Sequence, residues 1–186
     1  MDNGAEHGFY QNIENKLLIL YLIDKMDIPL SDRQIAEFVL PFGFMSDFDL
    51  SRNLAEMTQN GFLDKSLDIN VIRYSILGKG GEALEFFEKR LPPETRGKIN
   101  QYVIDNRRTI KKDYEINANY FYDHTYDEYI VKCAFYEDER MLMELNVSVV
   151  SNEQAKNICA NWKENAAKIF KDIILPLVDN AEETPK

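Results

Sequence analysis

Apolar and polar positions repeat along this chain with two different periods, and the change of period divides it. A helical spacing runs from about Phe9 to Met26. In its second half Leu17, Leu18, Ile19, Leu20, Tyr21, Leu22 and Ile23 cover every side of the cylinder. A helix that is apolar all round is buried all round. The expected cover is the rest of its domain together with a second body, either the C-terminal half or another subunit. Next, Ser31-Asp32-Arg33-Gln34 reads as a capping box, in which Ser31 accepts from the N3 amide and Gln34 reaches back. The helix it opens buries Ile35, Phe38 and Val39 and stops before Pro41. Ser46-Asp47-Phe48-Asp49 opens another helix with Leu50, Leu54 and Met57 on its buried face, and Asn60-Gly61 ends it.

Two short strands are then expected, 62–66 and 71–76, around a polar turn at Leu67-Asp68-Ile69-Asn70. Gly78-Lys79-Gly80-Gly81 reads as a turn leading into a helix from Glu82 to about Arg90. Helix, helix, turn, helix, hairpin, helix is the order of a helix-turn-helix followed by a wing.

Leu91-Pro92-Pro93 is the clearest boundary, because paired prolines cannot continue a helix, whereas Pro93 suits the first position of a new one. That new helix buries Ile99, Tyr102, Val103 and Ile110. Strict alternation follows in three segments: Tyr114, Ile116, Ala118, Tyr120 and Tyr122; then Tyr129, Val131, Cys133 and Phe135; then Met141, Met143, Leu145, Val147 and Val149. Short connections near 123–126 and 137–139 make them an antiparallel meander. Ser151-Asn152-Glu153-Gln154 caps a closing helix whose stripe, from Ala155 through Trp162 and Phe170 to Leu177, would cover the sheet before a frayed tail from Asp179. The expected fold class is α+β. A winged helix-turn-helix domain spans 1–91, and a small domain of three antiparallel strands with two helices spans 92–186.

Composition narrows the function. The 186 residues are 45% hydrophobic and 29% charged, and 22 Lys and Arg against 32 Asp and Glu leave a net charge of −10. That balance excludes a uniformly basic nucleic-acid module. The two cysteines, Cys133 and Cys159, lack CxxC spacing, and with two histidines no usual zinc site can be written. Free thiols, an acidic N-terminus and a longest apolar run of seven residues point to the cytoplasm and away from the membrane. Gly78-Lys79-Gly80-Gly81 lacks phosphate-loop spacing. Asp123-His124 with Asp127-Glu128 reads as a turn. No nucleophile set, metal set or cofactor motif assembles, so an enzyme is not expected.

Three segments carry a resemblance. Pro29-Leu30-Ser31-Asp32-Arg33-Gln34-Ile35, the exit Gly61-Phe62-Leu63, and Tyr74-Ser75-Ile76 leading to Gly80 resemble bacterial winged-helix regulators. The match departs at Leu77, where those proteins often place a capping Thr. Over its whole length, Asn161-Trp162-Lys163 included, the chain resembles a bacterial family of two-part winged-helix proteins of unknown function, known mainly from Gram-positive anaerobes. The resemblance implies a winged-helix half and an α+β half, and no established activity.

The expected function is sequence-specific binding of double-stranded DNA by a homodimeric transcriptional regulator. In a helix-turn-helix the second helix enters the major groove by its N-terminal exposed residues. Arg52 would read a guanine edge, Ser51 a base or phosphate, and Phe48 a thymine methyl. Arg33, Lys65, Arg73 and Lys79 are the phosphate candidates. Asp47, Asp49, Glu56, Asp64 and Asp68 lie in the same segments. Because DNA binders often neutralise about 6–10 phosphates, one copy is insufficient and a dimer is required. The alternative is a winged helix without DNA binding that serves as a protein-interaction or dimerisation module. The basic stretch of Arg96, Lys98, Arg107, Arg108, Lys111 and Lys112 is expected to be a solvated helix face. The C-terminal half would supply dimer contacts, an effector site, or both.

Overall fold

A computed structural model of the chain describes residues 3–137 and 140–179, with side chains from Tyr10 to Val178. The elements are α1 (Asn3–Met26), β1 (Leu30–Ser31), α2 (Asp32–Val39), α3 (Asp47–Gln59), β2 (Leu63–Asp68), β3 (Val71–Ile76), α4 (Gly78–Phe87) and a 3-10 turn (Glu88–Arg90). They continue as α5 (Pro93–Glu115), β4 (Ile116–Asp123), β5 (Glu128–Glu137), β6 (Arg140–Val149) and α6 (Asn152–Asp179). Among the described residues the fold is mixed α+β, with six α-helices and two three-stranded antiparallel sheets. Two compact units divide between Thr109 and Ile110, inside α5. The expected turn at Asp138-Glu139 and the tail after Asp179 lie outside the described residues.

In the first unit the caps form as their residue types dictate. Ser31 Oγ accepts from the Gln34 amide at 3.2 Å while Gln34 Oε1 accepts from the Ser31 amide at 2.9 Å, closing the capping box. Ser46 Oγ accepts from the Asp49 amide at 3.1 Å. At the far end of α3, Gly61 sits at φ +72°, with its amide on Thr58 O and the Phe62 amide on Met57 O. That bond pair is a Schellman stop, and the left-handed backbone favours glycine there. The chain by itself buries Leu17 to Ile23 without a second subunit. Helix α1 packs on α3, α4 and β3. From α5, Asn100 accepts from the Tyr21 hydroxyl, and Arg107 Nε donates to the Met26 carbonyl at 2.8 Å.

Sequence order and spatial order differ in the first sheet, which runs β1-β3-β2. Leu30 and Ser31 pair with Tyr74 and Arg73, so a two-residue strand joins the hairpin across two helices. The hairpin turn is tighter than the expected four-residue turn 67–70. Pairing continues to Asp68↔Val71, leaving Ile69 and Asn70 at φ +45° and +62°. Positive φ at both central residues is the mark of a type I′ turn, whose twist matches the strands. Helix α4 begins at Gly78, four residues earlier than the glycines implied, because the Gly80 and Gly81 amides both reach the Leu77 carbonyl. Gly80 is buried beneath Phe62, and a Cβ there would overlap the Phe62 carbonyl oxygen.

In the second unit Tyr114 belongs to the last turn of α5, not to the first strand, and it stacks on Tyr136 with ring centroids 5.2 Å apart. The meander pairs Tyr120↔Val131↔Val147 and Ala118↔Cys133↔Leu145, placing the alternating residues on one face. A bulge between Phe135 and Tyr136 sets Met141 opposite Tyr136 and leaves it exposed, out of the expected stripe. Val131, Cys133, Ala155, Trp162 and Ala166 form the buried centre. The Trp162 indole donates to the Ala134 carbonyl at 3.1 Å, so its polar atom is satisfied there. Helix α6 overruns its sheet. Its 28 residues span about 42 Å against about 33 Å for a ten-residue strand, and Ile173 and Leu177 are exposed.

Candidate nucleic-acid interface

Helix α3 turns Leu50, Leu54 and Met57 inward and leaves Phe48, Ser51, Arg52 and Ala55 facing out. Phe48 is 73% exposed. Two adjoining depressions run along one flank of this ridge, and Asp32, Ser51 and Leu54 border both. Toward α2, Asp32, Arg33, Asp47 and Ser51 line a hollow of about 150 Å³. Toward the hairpin, Ser51, Ala55, Gln59, Lys65 and Tyr74 line one of about 410 Å³. Phe48 and Arg52 stand beside this flank and line neither depression.

The cations singled out in the sequence do not converge. Arg33 is the most open, with its guanidinium 3.0 Å from Glu37 one turn along α2. Arg52 lies over the Phe48 ring, 2.7 Å from Asp49 and 4.0 Å from Glu56. Lys65 is exposed on β2. Lys79 sits at the opposite end of α3, donating to the Asn60 carbonyl at 2.9 Å and lying over the Phe62 ring. There it caps the helix C-terminus, where a cation is favoured by the helix dipole. Arg73 is 5% exposed, held by Asp68 at 3.2 Å and near Gln34 Oε1 at 3.5 Å. A guanidinium so enclosed is a structural tie between the hairpin and α2, not a phosphate contact.

Carboxylates dominate what remains. Lys16 of α1 reaches Glu56 at 2.6 Å, and this hydrogen bond holds the Glu56 carboxyl below the ordinary carboxylate range. Burial, with Asp32 nearby, raises the Tyr74 phenol. The series Asp49, Arg52, Glu56 is legible from its i, i+3, i+7 spacing, which places acid, base and acid on one face. Asn53 carried no such signal. It is fully buried on α3, and neither polar atom of its side chain has a hydrogen-bond partner among the described residues.

The basic stretch of α5 is largely paired within its surroundings. Arg96 faces Glu88, Lys98 faces Glu94, Arg107 faces Asp27 and Lys111 faces Glu115. Among the described residues no group of three or more His, Cys, Asp or Glu is placed to hold a metal ion, and His124 packs edge-on to Tyr122. No helix in this range is long and apolar enough to cross a membrane.

No curated protein and no solved structure matches the chain. The pattern of the domain of unknown function DUF4364 matches residues 15–177, from the middle of α1 to the last turn of α6. A match across so much of both units shows that the chain belongs to the DUF4364 family.

Proposed function

We propose that the N-terminal part, to about Leu91, is a winged helix that docks α3 in the major groove of double-stranded DNA. Residues 92–186 would serve dimerisation, effector binding, or both, in a homodimeric regulator of transcription in a bacterial cytoplasm. The element order α1-β1-α2-α3-β2-β3 with sheet order β1-β3-β2 supports the fold assignment. The observation that carries the function is the outward face of α3, where Phe48, Ser51 and Arg52 are exposed beside the two depressions that Ser51 borders. Ser51, Arg52 and Phe48 are assigned to base edges, and Arg33 and Lys65 to phosphates. Arg73 and Lys79 leave the phosphate set, one by burial and the other by capping α3.

Exposed ion pairs such as Arg52–Asp49 contribute only about 0.3–0.5 kcal/mol, so a guanine or phosphate can displace them. Arg33 and Lys65 from each of two copies give four phosphate contacts, below the ~6–10 typical of strong binding. Selection of bound fragments from a genomic DNA pool at low salt, followed by a salt series on the best fragment, tests this. The expected slope of log K against log salt is about −4. Retention of no fragment, or a monomeric protein, would overturn it. A second reading, a winged helix that binds a protein partner, is favoured by the carboxylates that already hold Arg33 and Arg52. It predicts no retained DNA and a stable complex with a basic partner.

A further inference from the structure

Away from the α3 ridge, the first unit contains an apolar cavity of about 370 Å³. Leu17 and Leu20 of α1, Met57 of α3 and Phe87 of α4 are part of its wall, and two cations, Lys16 and Arg90, stand in its lining. None of the lining residues is acidic. Pockets of about 300–1,000 Å³ with apolar walls and a few placed polar groups are the usual form of small-molecule sites.

The two cations differ in their commitments. Lys16 is bound to Glu56, whereas Arg90 makes no ion pair among the described residues and lies 5.0 Å from the centre of the Phe87 ring. A guanidinium poised at the edge of an apolar chamber suits a carboxylate attached to a hydrocarbon body, because a charge-assisted bond to the head adds to burial of the tail. From this geometry we infer that the cavity between α1, α3 and α4 binds a small amphipathic carboxylate, its hydrocarbon against Leu17, Leu20 and Phe87 and its head on Arg90. The wall residue Met57 and the Lys16–Glu56 bridge connect the chamber to α3. Ligand binding itself does not depend on DNA binding, so the two proposals fail separately.

Isothermal titration of the full-length protein with octanoate, 1-octanol and octylammonium tests the inference. Octanoate is expected to bind saturably at one site per chain, roughly tenfold more tightly than octanol, with octylammonium weakest. Arg90→Gln should erase the preference for octanoate over octanol, and Ala83→Phe, which fills the chamber from α4, should abolish binding. Should Ala83→Phe fail to fold, the Arg90→Gln comparison still decides. The inference is overturned by absence of saturable binding, by equal affinity for all three head groups, or by affinities that neither substitution changes. Conversion of a dimer to a monomer by Ala83→Phe, with octanoate inert, would also overturn it and assign the chamber to a second copy of the chain.

Discussion

The Arg52 guanidinium lies 2.7 Å from the Asp49 carboxylate, one turn behind it on α3, so the outermost arginine of the ridge is held by its own helix. Asp49 also accepts from the capping hydroxyl of Ser46 at 2.7 Å. The same carboxylate thus stabilises the helix start and restrains the residue assigned to a base edge. Removing its charge separates those roles. Asp49→Asn is expected to tighten duplex binding by roughly threefold to tenfold and to steepen the salt slope by about one, because one repelling charge near the phosphates is gone. Arg52→Ala should cost about 1–3 kcal/mol at one base position and relax preference there. Fluorescence anisotropy with the selected fragment and its single-base variants measures both. Unchanged binding in both variants would show that α3 is not the element that reads the duplex.

Among the described residues of the first unit, Arg73 and Asp68 form the most enclosed ion pair, 5% and 15% exposed. Deleting one member of a buried pair leaves the other charge without its partner, which typically costs about 3–5 kcal/mol. Arg73→Met should therefore lower unfolding stability by about 3 kcal/mol in urea titrations. The double variant Arg73→Met with Asp68→Leu should recover most of that loss. Loss of DNA binding in Arg73→Met without loss of stability would show that this arginine works at the surface after all.

Burial pushes the Cys133 thiol from its ordinary 9.0 up to about 12, with neighbouring Cys159 adding to the effect, and burial raises Cys159 too. The sign follows from linkage. A folded pKa above the unfolded one means that the unfolded state releases its proton first as pH rises. The contribution is complete below about pH 9 and is lost as pH climbs toward 12. Chemical denaturation across that range should show a steeper loss of stability for the native protein than for Cys133→Ala. Because the thiolate is the reactive form, Ellman's reagent should modify Cys133 only as fast as the protein unfolds. Rapid modification of Cys133 in the folded state would contradict its burial.

What could be read along the chain was local chemistry. Ser31 with Gln34, Ser46 with Asp49, and Gly61 after Asn60 each signal a helix end within a few residues, and each forms the bonds its side chain or backbone permits. The period-two stripes of Val131, Cys133, Leu145 and Val147 likewise declare a strand face without reference to distant residues. The three-stranded meander and the covering helix were legible for that reason.

What escaped depends on partners far away in sequence. Strand β1 is two residues long and exists because Tyr74 and Arg73 offer it an edge, so no period could announce it. Arg73 and Lys79 looked like surface cations because their residue type is usually solvated. Folding brought Gln34 of α2 against the first, which Asp68 of its own hairpin also holds, and the end of α3 beneath the second. Residue type and short-range spacing thus set the elements, their caps and the inward faces, since those interactions close within a few residues. Which charges remain available to a ligand was decided only by tertiary structure, because solvation and pairing depend on groups that meet through the fold.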